Sequence, residues 1–388
     1  MKEWVVDLSR TRLRSLALAA ACWLMVAAAP RATAASGDIQ VQGRRPELVF
    51  ACELDTAKLQ ALFADPALIP ELQQLQASIA LAIQDLSPER ADVVRRLNAA
   101  GVPVIAWMAL PREQGYYLNA GNEPAAAERF AQFESWTAQN RLRWAAIGLD
   151  VEPSLTEWGD IQGHRWRIVL TFLHRVFDGK RVERAREAYA GLIARMQAHG
   201  YSVQTYQLLF LADERRAHST ILERLFGLVD VRGNQETLMV YSSFNHALDG
   251  ALIWAYGPDA QTIAVGSTAG SGDAAIDARF PPLDWKEFSR DLLIASHFSP
   301  VVGVYSLEGC VRQGFLPRLT TLNWQSPVIL PAQAVTKAQR FRRIVQTALW
   351  LASHMVYLAI IFAAGVGWLV MRRRGKIARR SDSQPDSC

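Results

Sequence analysis

Eight short apolar runs alternate with stretches of helical composition, and this alternation limits the folds open to the chain. Continuous apolar strands that alternate with helices are typical of parallel sheets buried on both faces. Eight such units predict an α/β fold, a (β/α)8 TIM barrel, with a doubly wound open sheet as the alternative. We predict the strands at Leu48–Leu54, Ile79–Leu86, Val102–Leu110, Ala145–Val151, Ser202–Phe210, Thr237–Phe244, Thr262–Ser267 and Val301–Leu307. The clearest helices are predicted at Pro88–Ala100, Glu123–Asn140, Arg181–His199 and Asp284–Ser296.

The first 35 residues have the pattern of a secretory signal peptide. A basic segment precedes an apolar run, Ser15–Ala29, which ends near the small residues Ala32, Thr33 and Ala34. The basic residues before the run are Lys2, Arg10, Arg12 and Arg14. We therefore predict that residues 1–35 are removed and that the barrel, 36–311, is exported.

The C-terminal part has the pattern of a single membrane anchor. Residues 348–371 carry no formal charge, and Trp350 and Trp368 lie where the two membrane interfaces would be. A basic tail, 372–388, follows at once. We predict a stalk at 312–343, a transmembrane helix at 344–371 and a cytoplasmic tail. The protein would then be a single-pass protein of a bacterial inner membrane, with its barrel in the periplasm.

The net charge of the whole chain, +5, does not describe the predicted barrel. Residues 1–35 carry five basic and two acidic side chains, and residues 337–388 carry ten and two. The remaining 27 basic and 33 acidic side chains leave the folded middle at −6. The net positive charge of the chain therefore comes from the two membrane flanks, and we predict no nucleic-acid partner.

The predicted barrel contains two cysteines whose strands become neighbours only if the sheet closes. Cys52 lies near the end of the first strand and Cys310 just after the eighth. A closed barrel would therefore bring the two cysteines close together. An exported chain is in oxidising surroundings, where a disulfide can form. A Cys52–Cys310 disulfide and two free thiols are therefore the two alternatives for this pair.

The fourth predicted strand ends in two carboxylates. Because side chains alternate along a strand, residues from Ile147 form an outward apolar row, while Gly148, Asp150 and Glu152 face the barrel axis. The Cα atoms of the two acidic residues should lie about 7 Å apart. Two like charges in a narrow mouth raise at least one pKa, as a general acid near neutral pH requires.

Structural explanations for this pair remain open. Arg112 or Arg165 could neutralise the carboxylates, or Glu152 could cap a helix that starts at Pro153. We favour a functional role because both carboxylates fall at the C-terminal mouth of a predicted barrel, where barrel enzymes carry their active sites.

Three short segments resemble family 18 glycoside hydrolases, the chitinase-like enzymes. Leu149–Glu152 resembles the end of their strand-four pattern DGxDxDxE, Leu238–Tyr241 their strand-six M-x-Y segment and Gly303–Glu308 their last strand. The resemblance implies that Glu152 protonates the glycosidic oxygen and that Asp150 orients the N-acetyl group of the substrate, which acts as the nucleophile. Tyr241 would hydrogen-bond the same group.

The chain departs from this family at four positions. Ala145 and Gly148 stand where the family has two earlier aspartates, Ser242 replaces the aspartate after the tyrosine, and Tyr305 replaces a tryptophan. Family 25 lysozymes also carry Asp-x-Glu on a barrel strand, which keeps peptidoglycan among the candidate substrates.

Aromatic residues at predicted strand ends suit the binding of sugar rings, although core packing is the alternative for each. Our candidates for substrate contacts are Trp107, Trp158, Tyr206 and Tyr305, together with the carboxylate of Glu53. The histidines show no metal-ligand spacing, so we predict neither a metal nor a cofactor.

The sequence thus predicts a membrane-anchored glycosidase-like protein that cleaves an amino-sugar polysaccharide or peptidoglycan. The alternative is a non-catalytic glycan-binding or polysaccharide-assembly protein on a degenerate barrel. A third hypothesis is a structural partner whose mouth is filled by other protein. The observation that distinguishes these hypotheses is whether the mouth around Glu152 is an open groove or is plugged by the loop over 111–122.

Overall fold

The computed structural model describes residues 37–153, 175–176, 178–248, 250–269 and 280–381 of the chain. The chain divides into two compact units, 1–38 and 39–388. The predicted signal peptide lies outside the described residues, and all elements below belong to the second unit. Its strands are β1 Ile39–Gln42, β2 Glu47–Cys52, β3 Ser78–Ile83, β4 Val104–Met108, β5 Ala146–Val151, β6 Val203–Leu208, β7 Gln235–Met239, β8 Thr262–Gly266, β9 Val301–Tyr305 and β10 Pro327–Leu330.

The eight predicted strands, β2 to β9, form one closed barrel in which each strand is parallel to its neighbours. The ring closes between β2 and β9, with Leu48 opposite Val302 and Phe50 opposite Val304. This closure confirms the predicted (β/α)8 barrel and excludes the open sheet. The largest difference from prediction is at β7, which ends at Met239 because residues 242–244 form a 3-10 turn.

The helices surround this barrel, and several of them begin at a side chain that caps the first turn. Ser87 accepts a hydrogen bond from the Arg90 amide at the start of the helix Pro88–Ala99, and Asp284 forms a reciprocal capping box with Glu287 at the start of the helix Trp285–Phe298. The helices are α1 Thr56–Phe63, α2 Leu68–Leu75, α3 Pro88–Ala99, α4 Glu123–Asn140, α5 Gly179–Ala198, α6 Phe210–Arg216, α7 Ile221–Phe226, α8 Ala251–Tyr256, α9 Trp285–Phe298, α10 Leu307–Arg312, α11 Phe315–Thr320 and α12 Ala332–Ser381.

The two faces of the barrel strands are packed differently. Outward residues such as Phe50, Ile147 and Leu149 are fully buried in the main core against the helices. The inward residues form a separate, smaller cluster, which consists of Ala80, Ile105 and Ala146 with Val49 and Tyr206 packed against it. Val49, Ala51 and Gly303 also point inward and remain only half-buried, so the barrel axis is incompletely filled.

The segment predicted as a stalk, 312–343, is folded against the barrel. It contains α11, β10 and the start of α12, and β10 pairs antiparallel with β1. Its prolines suggested a linker, but Pro317 lies in the first turn of α11 and Pro327 begins an edge strand, where proline is equally well tolerated.

A buried arginine fixes α12 to the rest of the domain. The Arg342 Nε donates to Asp213 Oδ1 at 2.8 Å, and Arg342 Nη2 lies 2.8 Å from Asp259 Oδ2. The guanidinium also lies 3.9 Å from the centre of the Tyr256 ring. The start of α12 is therefore part of the folded domain.

The predicted membrane segment, 344–371, falls within α12. None of the helices in the described part of the chain is long and apolar enough to cross a membrane. The end of the predicted tail, 382–388, lies outside the described residues.

The two barrel cysteines are free buried thiols. The closed barrel makes their strands neighbours, as expected, but the Cys52–Cys310 disulfide is not formed. The Cys310 thiol instead donates to Thr268 Oγ1 at 3.6 Å, and burial raises its pKa to about 12. A buried neutral thiol of this kind is unreactive.

Candidate active site

The strand β5 places two carboxyl groups at the C-terminal end of the barrel, as predicted. Asp150 is only 3% exposed and lies opposite Tyr206 of β6 in the ladder. Glu152 follows the strand and is half-buried, with its amide donating to the Leu118 carbonyl. The alternation that buries Leu149 and Val151 outward therefore directs both acidic side chains toward the axis.

A third carboxyl group, that of Glu53, reaches the same place from the end of β2. Its Oε2 accepts a hydrogen bond from the Tyr305 hydroxyl at 2.6 Å, and its Oε1 accepts one from the Tyr117 hydroxyl at 3.4 Å. Glu53 was predicted only as a substrate contact. Its position beside Asp150 and Glu152 makes it a member of the carboxyl cluster, by which we mean these three residues.

Burial and mutual repulsion keep protons on this cluster. Burial is the largest cause that raises the pKa of Glu152, to about 8, and the charge of Glu53 adds to it. Burial also raises the pKa of Asp150 well above its usual range, followed by the charges of Glu152 and Glu53, while a hydrogen bond from Trp107 opposes the rise. The cluster can therefore hold a neutral carboxylic acid at neutral pH, as general acid catalysis requires.

Glu53 differs from the other two in its hydrogen bonds. Burial raises its pKa, but the phenols of Tyr305, Tyr116 and Tyr117 lower it. Phenol donors stabilise a carboxylate more than a carboxylic acid. Glu53 is thus the member of the cluster with the best support for its ionised form.

Aromatic rings form the walls around the cluster. The Tyr241 and Tyr305 rings stack with their centroids 5.5 Å apart, and Trp107 meets the Tyr206 ring edge-on at 6.3 Å. Burial raises the pKa of Tyr241, and the next causes are the charges of Asp150, Glu152 and Glu53. The Tyr241 hydroxyl therefore stays protonated and able to donate a hydrogen bond.

The loop over 111–122 adds two tyrosines to the cluster. Tyr116 is buried and accepts a hydrogen bond from Gln84 Nε2 at 2.9 Å, while Leu118 forms a bridge with Val151 at the end of β5. The loop is therefore packed along one side of the mouth. Gln84 was not predicted, although its place just after β3 matches that of Glu53 after β2.

Gly148 explains one departure from the family 18 pattern. A Cβ atom at this position would lie 2.6 Å from the Tyr206 ring, which is closer than packed atoms approach. Tyr206 therefore takes the space in which the side chain of an aspartate at 148 would begin. The absent aspartate and the inward tyrosine are two parts of one local arrangement.

Neutralisation of the carboxylates by Arg112 or Arg165 is one structural alternative to a functional role. Arg112 is exposed and lies 5.8 Å from the Tyr116 ring centre, and it lowers the pKa of Glu53 only as the smallest of the causes. Arg165 and the predicted sugar contact Trp158 lie outside the described residues. In the described ranges, no group of three His, Cys, Asp or Glu side chains is arranged to hold a metal ion.

Comparison with known proteins gives similarity of fold at low scores. No family model matches the chain, and no curated protein matches it. Among solved structures, the chain is similar to the glycoside hydrolase domain of PgaB (BpsB) from Bordetella bronchiseptica, with a TM-score of 0.39 and 11% identity over 71% of this chain and 98% of that one.

Two other solved structures give similar values. The 3-keto-D-glucoside 4-epimerase YcjR from E. coli has a TM-score of 0.35 and 11% identity over 77% of this chain and 99% of that one. ScGas2 has a TM-score of 0.37 and 12% identity over 78% and 68%. These scores are too low to transfer any residue's role to this chain, so the function has to be argued from the site.

Proposed function

We propose that this barrel is a glycoside hydrolase that cleaves an amino-sugar polymer with Glu152 as the general acid. The observation that carries the proposal is the carboxyl cluster, in which burial and the charge of Glu53 raise the pKa of Glu152 to about 8. Aromatic walls made by Trp107, Tyr241 and Tyr305 suit the flat faces of sugar rings.

In the proposed reaction, the bond between the anomeric carbon and the glycosidic oxygen breaks as Glu152 gives its proton to that oxygen. The family 18 resemblance assigns the attack on the anomeric carbon to the carbonyl oxygen of an N-acetyl group, held by Asp150 and Tyr241. Water then opens the resulting oxazolinium ion and returns a proton to Glu152. A substrate without the N-acetyl group needs water as the direct nucleophile. Glu53 is then the carboxylate that would accept the proton of the water.

Membrane anchoring and export remain part of the proposal. The sequence patterns of 1–35 and 344–388 favour an inner-membrane protein whose barrel meets polysaccharide or peptidoglycan in the periplasm. This placement supplies a reason for a polymer substrate, because such polymers are found outside the cytoplasm.

The test uses the purified full chain, its Glu152→Gln variant and a Glu113→Gln control. Glu113 is an exposed carboxylate of the loop over 111–122, so its loss leaves the cluster intact. Each protein is incubated with N-acetylglucosamine oligomers, glucosamine oligomers and peptidoglycan, and the products are identified by mass spectrometry. We expect cleavage by the wild type and the control, and a loss of at least 100-fold in Glu152→Gln, the usual size of a general-acid contribution.

Cleavage that survives in Glu152→Gln would reject this residue as the acid. Binding without cleavage by any form would support a non-catalytic glycan-binding protein. Neither binding nor cleavage of the three polymers would remove the basis for a sugar-directed function.

A further inference from the structure

In the described residues, the carboxyl cluster forms no salt bridge with a cationic side chain, unlike most of the other buried carboxylates there. Several other buried or partly buried carboxylates are paired with an arginine, whereas Glu214 accepts hydrogen bonds from Ser219 and two backbone amides instead. The pairs are Asp85 with Arg90, Asp213 with Arg342, Glu223 with Arg186, Asp230 and Glu236 with Arg215, and Asp291 with Arg290. In the described residues, no cation acts on Asp150 or Glu152, and Arg112 acts only weakly on Glu53.

One oxygen of the cluster is also left without a hydrogen bond. Asp150 Oδ1 is fully buried and has no partner among the described residues, although Asp150 is only 3% exposed. A buried carboxylate oxygen without a partner costs free energy that a bound donor would recover. Asp150 points toward the barrel axis, where Ala51 and Gly303 remain half-buried and leave space.

The walls of the site favour a cation. Tyrosine and tryptophan rings attract cations through their negatively charged faces, and Trp107, Tyr206, Tyr241 and Tyr305 all border the cluster. The phenol of Tyr305 is already used by Glu53. Asp150 Oδ1 is therefore the oxygen without a partner among these aromatic rings.

We propose that this site selects a cationic amino sugar, one whose 2-amino group is a free ammonium rather than an N-acetyl group, and that the ammonium donates to Asp150 Oδ1. The inference rests on the proposed function for the sugar, while the cationic group is argued from the missing partner of the carboxyl cluster alone. With an ammonium at this position there is no N-acetyl oxygen to attack, so hydrolysis would use water, with Glu53 accepting its proton and Glu152 donating to the leaving oxygen.

Binding of an ammonium group should release protons from the site. Without a cation, burial and like charges raise the pKa of Asp150, while a nearby positive charge favours the ionised form. The titratable groups that act on Asp150 are Glu53 just after β2, Glu152 just after β5, Tyr206 on β6 and Tyr241 just after β7. Tyr116 and Tyr117 face it from the loop over 111–122.

The test compares three ligands that differ only at one substituent: methyl β-glucosaminide, methyl β-N-acetylglucosaminide and methyl β-glucoside. Binding to the full chain is measured by isothermal titration calorimetry at pH 6.5, where the amine is charged, in two buffers of different ionisation enthalpy. We expect the glucosaminide to bind at least tenfold more tightly than the other two, with an enthalpy that depends on the buffer because protons are released.

The variant Asp150→Asn keeps the shape of the side chain and removes its charge, and Glu113→Gln is the matched control. Asp150→Asn should lose the tenfold preference and the buffer dependence, and the control should keep both. The far-ultraviolet circular dichroism of each variant establishes that it is folded, and Asp150→Glu serves as a second variant that retains the charge and the preference.

Equal or tighter binding of the N-acetylated ligand by the wild type would overturn the proposal, and so would a preference that persists in Asp150→Asn. Displacement of the glucosaminide by Ca²⁺ alone would also overturn it, because the cluster would then be a metal site. Failure of the proposed hydrolysis is read separately. If the ammonium sugar is preferred but no polymer is cleaved, the cationic specificity stands and the catalytic role of Glu152 does not.

Discussion

At the scale of single residues, the site depends on the absence of groups as much as on their presence. Gly148 has no side chain, and Tyr206 fills the space that one would need. In the described part of the chain no arginine acts on Asp150 or Glu152, so no positive charge there offsets the effect of burial on their pKa values. Both features put free energy into the site that a well-paired core would not contain, which is a common property of functional sites.

The first residue-scale prediction concerns stability and pH. The pKa of Glu152 rises from its ordinary 4.5 to about 8 on folding. The folded protein therefore holds a proton that the unfolded chain loses between these values, so the contribution of neutral Glu152 is complete below pH 4.5 and is lost as pH rises to about 8. We expect Glu152→Gln to match the wild type at pH 4.5 and to be more stable by about 2 kcal/mol at pH 8.5, less than the full shift implies because the side chain keeps some contact with water.

Urea unfolding of the wild type, Glu152→Gln and the exposed control Glu113→Gln at both pH values measures this difference. A stability difference that is the same at pH 4.5 and pH 8.5 would contradict the raised pKa.

The second residue-scale prediction concerns Gly148. A Cβ atom there would lie 2.6 Å from the Tyr206 ring, so Gly148→Ala should destabilise the barrel by about 1–3 kcal/mol. Combining it with Tyr206→Leu should recover part of the loss, because the smaller side chain vacates the space.

The matched control is Gly191→Ala, in the middle of α5 with no atom within 4 Å of the added Cβ. It should be neutral or stabilising by up to about 1 kcal/mol, since alanine favours helix. Urea unfolding measures all four proteins, and equal effects at 148 and 191 would show that Tyr206 does not confine position 148.

At the scale of elements, the barrel strands were predictable and their surroundings were not. The apolar runs of β2 to β9 predict buried strands, and the alternation of side chains along β5 predicts which carboxylates face the barrel axis. The sequence predicts Glu53 only as a substrate contact, because β2 and β5 are not neighbours in the barrel and a sequence gives no distance across it. The loop over 111–122 has no periodic pattern, so its packing against Val151 left no signal.

The C-terminal part shows a second reason for such a difference. Arg342 resembles the other basic residues before the predicted span, Lys337, Arg340 and Arg343. Composition cannot tell a solvated arginine from one that is buried against Asp213 and Asp259. The partners of Arg342 lie more than 80 residues away along the chain, beyond the reach of local pattern analysis.

A prediction at this scale tests the attachment of α12. Arg342→Met should destabilise the protein by about 3 kcal/mol, because it leaves Asp213 buried without its cation. Arg340→Met, an exposed neighbour on the same helix, should change stability by less than about 0.5 kcal/mol. Urea unfolding of both variants checks the comparison, and equal effects would mean that Arg342 does not hold α12 in place.

At the scale of the whole molecule, the residues that form the core and the residues of the candidate site lie on opposite faces of the barrel strands. The outward faces of the strands form the continuous core with the helices, whereas the inward faces carry small residues below and the carboxyl cluster at the C-terminal end. Barrel enzymes place their sites at this end because the loops there can vary without disturbing the core. The axis can therefore remain partly open while the barrel stays folded.

The antiparallel pairing of β1 with β10 has a topological consequence. Ile39 lies opposite Leu330, so the strand that precedes the barrel and the strand that follows it are neighbours about 5 Å apart. The domain is in effect a closed loop of chain, fastened at one point. A circular permutant that joins Ile39 to Leu330 through a short glycine linker and opens elsewhere would keep every strand in its register, and it would lose the contacts of α12, the Arg342–Asp213 pair among them.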